Sequence, residues 1–402
     1  MKVLVSFLGR TGKPGEGYRR AAYRFNGEKW PPVAYFGLEL ARREAVDRLV
    51  LFGTPGSMWD LLLADHAGLN DVTEAHMELM DAAQQRRVTQ EQLETLQPLI
   101  ERAVGRDVVL RLIGEAQSVE EQIGVLTSMA AALAPEDDLI LDVTHGFRHL
   151  PMLALAAAAY LSRVRRVKIA GIYYGAAEMA DCPVLELSGF LDVLEWVQAL
   201  AAYDASGNLG QFAEPLRKAG LDDDASRRLR QAAFDERNQN QEKAANGIEV
   251  IQRRMQELQA PIFELVRAEI EERLAWTRQE QRWRREFDLA WRYLKCRDWT
   301  RAVIHATEAA ITWKIETGGG NVDDIDLREE ASGRLRIETS FNELIYIRNA
   351  LVHGNAPRDK KRREQVSALV RDQQRLPEML RKWMKDLEGH LLEDRAISQA
   401  CE

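Results

Sequence analysis

Residues 138–151 read DLILDVTHGFRHLP, and this stretch decides the fold of the N-terminal half of the chain. Its first part, Asp138–Val143, is a short apolar run of Leu, Ile and Val, which predicts a buried strand. A helical pattern, Phe147–Arg163, follows directly, and Pro151 falls in its first turn, where a proline is tolerated. A buried strand that passes through a glycine-containing loop into a helix is the repeating unit of a parallel sheet.

The same kind of strand recurs through residues 1–190. The predicted strands are Lys2–Leu8, Asp47–Phe52, Asp107–Ile113, Asp138–Val143, Val167–Tyr173 and Pro183–Leu187. Helical patterns lie between them, notably Val119–Leu133. This alternation predicts an α/β domain built on a doubly wound parallel sheet.

Three loops follow the carboxyl ends of these strands, where such sheets bind their ligands: Gly9–Gly17, Gly53–Asp60 and Thr144–Pro151. Each offers glycine, hydroxyl or basic groups beside a helix N-terminus, which is the chemistry of a phosphate or nucleotide site. The predicted binding residues are Gly9, Arg10, Thr11, Gly53, Thr54, Ser57, Thr144, His145, Gly146 and Arg148. A P-loop and a dinucleotide fingerprint are both excluded, since Gly12-Lys13 lacks the upstream glycine and no G-x-G-x-x-G follows the first strand.

The loop Thr144–Pro151 has three interpretations. As an anion-binding loop, it caps the following helix with Thr144 and surrounds the positive helix end with its basic residues. As a metal site, it uses Asp142, His145 and His149, but the helix begins between the two histidines and the sequence has no other ligand cluster, so no metal is expected. In the third interpretation the loop is a cap with an incidental histidine.

Strand patterns disappear after about residue 190. Residues 191–276 are predicted to be a linker with exposed helices, ending in a long amphipathic helix, Gly247–Trp276, that is interrupted at Pro261. Residues 277–402 are predicted to form a separate bundle of four or more helices. The predicted bundle contains Trp283–Cys296, Trp299–Glu316 with Asp298 as N-cap, a polar loop over Gly318–Ile337, Glu338–Val352, and Glu364–Leu392 with a bend at Pro377.

The third helix of the predicted bundle ends in Arg348-Asn349-Ala-Leu-Val-His353-Gly354. Histidine serves as general acid or base near neutral pH, arginine binds phosphate with two N–H groups, and asparagine orients an imidazole or binds phosphate. Five residues of helix rotate Arg348 and His353 about 140° apart, so two antiparallel copies are needed to pool these side chains. The alternative is a buried polar helix end with His353 as a hydrogen-bonded cap.

Composition limits the function classes. The 402 residues are 46% hydrophobic and 29% charged, which is typical of a globular protein of two to three domains. A net charge of −8 argues against a protein that stores nucleic acid, but not against a local basic cleft. The longest apolar run, Met152–Leu161, is half the length of a spanning helix, and the N-terminus does not resemble a signal peptide. We therefore expect a cytoplasmic protein with no membrane partner.

Two sets of motifs resemble one known family, the CARF–HEPN ancillary ribonucleases of type III CRISPR systems. The segments Asp142–Pro151 and Gly53–Asp60 resemble signatures of one branch of CARF domains. The segment Arg348–His353 matches the Arg-x4-His motif of HEPN domains in its Arg-Asn form. The resemblance implies a Rossmann-like CARF domain over residues 1–190, a helical linker over 191–276 and a HEPN domain over 277–402.

The resemblance also implies an activity. CARF domains of this family bind cyclic oligoadenylate as an allosteric activator, of which tetra-adenylate is the expected ring, although the sequence leaves tetra- and hexa-adenylate open. HEPN domains dimerise and cut single-stranded RNA without metal or cofactor, so Arg348, Asn349 and His353 are the predicted catalytic residues and a homodimer or higher even oligomer is expected. Whether the CARF domain also degrades its activator is left open.

Two other classes of function compete with this one. The first is a non-catalytic CARF-type regulator whose helical part binds DNA or a protein partner. Its candidate basic clusters, at Trp283–Arg285 and Lys360–Arg363, are interpreted as solvated faces. The second is a small-molecule α/β enzyme with a helical oligomerisation domain, for which no nucleophile elbow or metal set is present.

Overall fold

The computed structural model describes residues 1–10, 20–60, 62, 74–146, 149–354 and 357–400. The predicted binding residues Thr11 and Arg148 lie outside this range. The chain divides into two compact units, Met1–Leu194 and Glu195–Glu402. The further division that the sequence predicts at residue 276 stays a prediction.

The first unit is built on one six-stranded sheet. Its strands are β1 Lys2–Leu8, β4 Arg48–Gly53, β5 Asp107–Leu112, β6 Asp138–Asp142, β7 Lys168–Gly175 and β8 Val184–Glu186. Two further strands, β2 Arg24–Phe25 and β3 Glu28–Lys29, form a separate hairpin. The sheet order is β5-β4-β1-β6-β7-β8, and all neighbours are parallel except β7 and β8, which are antiparallel. The predicted doubly wound parallel sheet is confirmed, with an antiparallel strand at one edge.

Apolar side chains on both faces of the sheet explain why the strands can be predicted from the sequence. In β1, Val3, Val5 and Phe7 enter one core cluster, whereas Leu4 and Leu8 enter the cluster on the opposite face. Strands covered on both faces become continuous apolar runs, as in all doubly wound folds.

Helices cover these faces. They are α1 Phe36–Arg43, α2 Glu74–Gln84, α3 Gln90–Val104, α4 Val119–Ala131 and α5 Leu150–Arg165. The predicted start of α5, Phe147, lies outside the described residues, and the described helix begins at Leu150 with Pro151 in its first turn.

The second unit is helical. The helix α6, Gly189–Ser206, begins in the first unit and continues into the second. The α-helices that follow are α7 Ala213–Lys218, α8 Asp223–Arg237, α9 Gln241–Gln256, α10 Pro261–Glu264, α11 Arg267–Arg273, α12 Arg282–Lys295, α13 Trp299–Thr317, α14 Ile325–Leu335, α15 Thr339–His353, α16 Lys360–Val370 and α17 Arg375–Ala400. Asp298 caps α13 as predicted, since its carboxylate accepts the Arg301 N–H at 3.0 Å. None of the described helices has the length and apolarity needed to cross a membrane.

The middle segment is more compact than the predicted linker. Phe212, Leu229, Ile248 and Phe263, each at most 1% exposed, share one hydrophobic cluster. The long helix predicted over Gly247–Trp276, with an interruption at Pro261, is instead several shorter helices, since α9 ends at Gln256, α10 begins at Pro261 and α11 begins at Arg267. The interruption at Pro261 itself was predicted.

Two predictions in the C-terminal bundle are also wrong. The polar loop predicted over Gly318–Ile337 contains α14, which Asp324 caps by accepting the N–H groups of Asp326 and Leu327. The long helix predicted with a bend at Pro377 is two helices, because Asp372 accepts the Arg375 N–H at 2.9 Å and starts α17 there. Pro377 lies in the first turn of α17, where it causes no bend.

Candidate functional site

The topological switch point of the sheet lies at the carboxyl end of β1, between β4 and β6. The three predicted binding loops meet at this point. A Cβ on Gly9 would lie 2.6 Å from the Gly146 amide nitrogen, and the Met58 N–H donates to the Gly9 carbonyl at 3.1 Å. The loops after β1, β4 and β6 are therefore in backbone contact, and the crevice they form has the position at which such sheets bind ligands.

The loop after β4 is held by the Ser57 hydroxyl. That hydroxyl donates to the Leu8 carbonyl at 2.7 Å and accepts the Thr54 N–H at 2.9 Å. The Trp59 indole N–H donates to the Thr54 carbonyl at 2.9 Å, and its ring would clash with a Cβ on Gly53 at 2.6 Å. Ser57 is only 3% exposed, so its hydroxyl joins two loops rather than facing a ligand.

The loop after β6 differs from the prediction at Thr144. Its hydroxyl accepts the Gly175 N–H at 2.8 Å, so it fastens this loop to β7, and it does not cap α5. The residue before α5 is His149, which makes no side-chain capping bond. The expectation that Thr144 caps this helix is therefore wrong, because the helix starts six residues further along. Gly146 is exposed with a φ of +107°, a conformation suited to glycine.

A buried polar network lies beneath the crevice. The Asp142 carboxylate, 0% exposed, accepts the Ser6 hydroxyl at 2.6 Å and the Thr144 N–H at 2.9 Å. The Tyr35 hydroxyl lies 2.5 Å from the Ser6 hydroxyl. A Cβ on Gly37 would lie 2.6 Å from the Ser6 oxygen, so this glycine lets α1 approach the strand ends. Neither Ser6 nor Gly37 was singled out from the sequence, because no local pattern marks them.

His145 belongs to this network and not to the exposed rim. Its ring stacks on Tyr35 with centroids 5.1 Å apart, and its Nε2 accepts the Phe36 N–H at 3.3 Å, at the start of α1. Burial disfavours the charged form of both side chains. It lowers the pKa of His145, although the Asp142 charge acts in the opposite direction, and it raises the pKa of Asp142. We conclude that His145 is neutral and carries its proton on Nδ1. Among the described residues no group of three His, Cys, Asp or Glu side chains has the arrangement of a metal site.

The crevice contains a cavity of about 140 Å³. Its walls include Gly9, Thr54, Arg10 and, from beyond α2, Arg86. Arg10 is exposed, and the Arg86 side chain is 66% exposed with a Glu115 carboxylate 3.8 Å away. Arg86 was missed from the sequence, because it reaches the crevice through the path of the chain after α2 and not through a motif. The two arginines supply positive charge at the rim.

The predicted catalytic residues lie in the second unit at the end of α15. The helix ends at His353 as predicted, and Gly354 follows with a φ of +65°, donating its N–H to the Asn349 carbonyl. His353 is exposed and Asn349 half-buried. Arg348 points elsewhere, since its Nη2 lies 3.3 Å from Oε1 of Glu308 on α13. Within one chain, the described residues show no contact between Arg348 and His353, as the angular separation of these two residues on the helix predicts.

The two basic clusters make internal contacts. The Arg284 guanidinium lies 4.4 Å over the Trp283 ring, and Arg285 donates to the Gln279 carbonyl at 2.6 Å. Arg362 pairs with Glu343, and Arg363 donates to the Pro357 carbonyl at 3.1 Å. The cluster Lys360–Arg363 is mostly exposed, as expected of a solvated face, whereas Trp283 is buried and its two arginines are half-buried, so the first cluster is not a solvated face.

These features define a class: an α/β domain with a ligand crevice at its switch point, joined to a helical unit with an exposed histidine at a helix end. Residues 3–178 match the family described as "CRISPR system endoribonuclease Csx1, CARF domain". The first unit is thus similar to a CARF domain over nearly its whole length, and the resemblance of the chain to CARF-containing ancillary proteins of CRISPR systems is confirmed.

Two individual proteins are similar to the chain. CRISPR-associated protein MJ1674 of Methanocaldococcus jannaschii is 25% identical over 236 residues, covering 52% of this chain and 37% of that protein. The chain therefore matches little more than a third of that relative's length. The structure of Enterococcus italicus Csm6 bound to cyclic hexa-2'-fluoro-hexa-dAMP aligns with 97% of this chain and 95% of its own, at 12% identity and a TM-score of 0.41.

Proposed function

We propose that the chain is a cyclic oligoadenylate-activated endoribonuclease that cuts single-stranded RNA, without metal, in type III CRISPR antiviral defence. The observation that carries the proposal is the presence, in one chain with a CARF-like domain, of an exposed histidine at the end of a helix that also bears Arg348 and Asn349. The helical unit is accordingly assigned as a HEPN domain.

The crevice at the switch point is the proposed messenger site. A cyclic oligoadenylate carries one negative charge per nucleotide, and the net charge of −8 gives no general attraction for it. Binding therefore depends on local donors, which the exposed Arg10 and Arg86 at the rim and the exposed glycine loop at Gly146 supply.

The size of the crevice supports a two-fold arrangement. A cavity of about 140 Å³ is smaller than the site of even one drug-sized ligand, which takes roughly 300 Å³ or more. One protomer thus receives part of the ring, and a second copy across a two-fold axis receives the rest. The proposal also requires that two copies of α15 pair in the dimer.

In the proposed cleavage reaction His353 acts as the general base. It removes the proton of a ribose 2′-hydroxyl, the O2′–P bond forms as the P–O5′ bond breaks, and the departing O5′ takes up a proton. Arg348 stabilises the charge that develops on the phosphate oxygens, and Asn349 orients the imidazole or binds phosphate. The nucleophile belongs to the RNA itself, so the reaction requires acid–base groups and a cation but no metal-bound water.

Activation follows from linkage between the two sites. The messenger shifts the equilibrium between dimer geometries only by the ratio of its affinities for them. It therefore activates cleavage when it binds more tightly to the geometry in which the two α15 helices are correctly paired.

An RNA-cleavage assay with the full chain tests the proposal. We expect little cleavage of single-stranded RNA without messenger and strong cleavage with cyclic tetra-adenylate, while cyclic hexa-adenylate in a parallel reaction determines the ring size. Messenger binding by calorimetry without any cleavage would favour the regulator instead. Absence of both binding and cleavage would contradict the whole proposal.

A further inference from the structure

Arg348 is held by a carboxylate that a second arginine shares. Glu308 lies on α13 and receives Arg348 Nη2 on Oε1 at 3.3 Å and Arg328 Nη2 on Oε2 at 2.6 Å. The three side chains are 22–31% exposed. Each guanidinium occupies a different carboxylate oxygen, so Glu308 forms no bidentate pair with either arginine.

The better contact belongs to Arg328. Besides Glu308, it donates from Nη1 to the Val322 carbonyl at 2.8 Å, which anchors it to the loop before α14. Arg348 makes only the longer contact, and its buried Nε–H has no acceptor among the described residues. Most donors of Arg348 therefore have no acceptor among the residues that the structure describes.

The charges of this cluster matter for phosphate binding. A lone Glu308–Arg348 pair would be neutral, and a neutral pair stabilises a phosphate poorly. With Arg328 added, the three groups carry a net charge of +1. The next buried carboxylate, Glu286, pairs with Arg282 at 3.0 Å, and among the described ion pairs it has none with Arg328, on which it acts only through space.

We infer that Glu308 and Arg328 are positioning residues of the ribonuclease site: Glu308 fixes the Arg348 guanidinium, and Arg328 compensates the Glu308 charge so that Arg348 stays available to phosphate. This inference rests on the proposed function. Neither residue has a local signature, because Glu308 precedes Arg348 by 40 positions and lies on another helix.

A charge-compensation cycle tests the inference, with stimulated RNA cleavage as the readout. Arg328→Gln leaves a neutral cluster, so we expect kcat to fall about tenfold, whereas Arg328→Lys keeps the charge and most of the activity. Glu308→Gln raises the cluster to +2 and weakens the hold on the Arg348 guanidinium, so KM and kcat should both fall and the salt dependence of RNA binding should become steeper. The double variant Glu308→Gln/Arg328→Gln restores +1 and should recover activity above that of Arg328→Gln alone.

A purely structural role predicts the opposite ranking, since losing both partners would damage the bundle more than losing one. Arg334→Gln is the matched control, because Arg334 lies on the same helix and pairs only with the exposed Glu330 among its described ion pairs. A double variant no more active than Arg328→Gln, or an Arg328→Gln variant with wild-type kcat, would overturn the inference. If Arg328→Gln fails to fold, the inference is tested by the KM and the salt dependence of Glu308→Gln. Values equal to those of the wild type would refute the inference. An inactive wild type, or His353→Ala with full activity, would instead refute the proposed function.

Discussion

Gly9 and Gly146 are in van der Waals contact through their backbones, so that a Cβ on Gly9 would lie 2.6 Å from the Gly146 amide nitrogen. Backbone atoms do not give way as a flexible side chain does. The contact joins the loops after β1 and β6 at the switch point of the sheet, and the shape of the proposed messenger site depends on it.

Gly9→Ala should therefore separate these two loops and weaken messenger binding about tenfold or more. Isothermal calorimetry with cyclic tetra-adenylate measures the effect. The control is Gly124→Ala on α4, where nothing lies within 4 Å of the added Cβ and alanine favours the helix. Equal affinities for the two variants would place the messenger away from this contact.

Arg86 provides a second prediction, on charge. Removing it with Arg86→Ala should cost about 1.5–3 kcal/mol of messenger binding if it donates to a phosphate. Its exposed pair with Glu115 adds little stability, so the fold should be unaffected. Arg87→Ala is the matched control, because Arg87 pairs with Asp81 and does not line the cavity. If both variants bind the messenger equally well, Arg86 has no role in recognition.

The stability of the second unit should depend on pH through His305. Burial, with Arg292 and Arg301, lowers the pKa of His305 to about 3. The unfolded chain takes up this proton at about pH 6.5 and the folded chain does not, so the stabilisation is complete above pH 6.5 and is lost as the pH falls towards 3. The loss is at most about 1.4 kcal/mol per pH unit.

Urea unfolding at pH 7.5 and pH 5.5 checks this prediction. His305→Phe keeps a ring to stack on Tyr293, which now lies 5.2 Å from the His305 centroid, and should show a smaller drop in unfolding free energy between the two pH values. The exposed His390 supplies the control, His390→Phe, which should retain the wild-type drop. An unchanged drop in His305→Phe would show that other groups cause the acid sensitivity.

Self-association is the fourth prediction. Arg348 and His353 lie on different faces of α15, so one cleft needs a second copy, and the protein should be a dimer or higher even oligomer without messenger. Light scattering at micromolar concentration should give at least twice the chain mass of 45.7 kDa. A monomer that cleaves RNA at the full rate would contradict this.

Much of the first unit was predictable because the central strands β1, β4 and β6 are covered on both faces and are almost entirely apolar. The second unit was harder. The glycines Gly318–Gly320 concealed α14, whose start depends on one capping carboxylate, Asp324. The middle helices resemble a linker in sequence because their apolar residues are spaced among many charges.

The candidate sites divide in the same way. Gly9 follows β1 directly, Gly53 is the last residue of β4 and Gly146 lies four residues after β6, so chain-local patterns predicted that they meet. Arg86 and Glu308 reach their sites through tertiary contacts between elements distant in sequence, which no local pattern encodes. Thr144 and His145 were placed correctly on the loop, but their side chains hold the loop in position, since both bond to backbone groups of neighbouring elements.

The central claim is that His353 performs metal-independent RNA cleavage under messenger control, and one comparison tests it most directly. Wild type, His353→Ala and the exposed-histidine control His390→Ala are incubated with single-stranded RNA and cyclic oligoadenylate in EDTA. The account predicts cleavage by wild type and His390→Ala, and a loss of about 10²–10⁴-fold in His353→Ala with messenger binding intact. Cleavage by His353→Ala at the wild-type rate, or cleavage by wild type that EDTA abolishes, would contradict it.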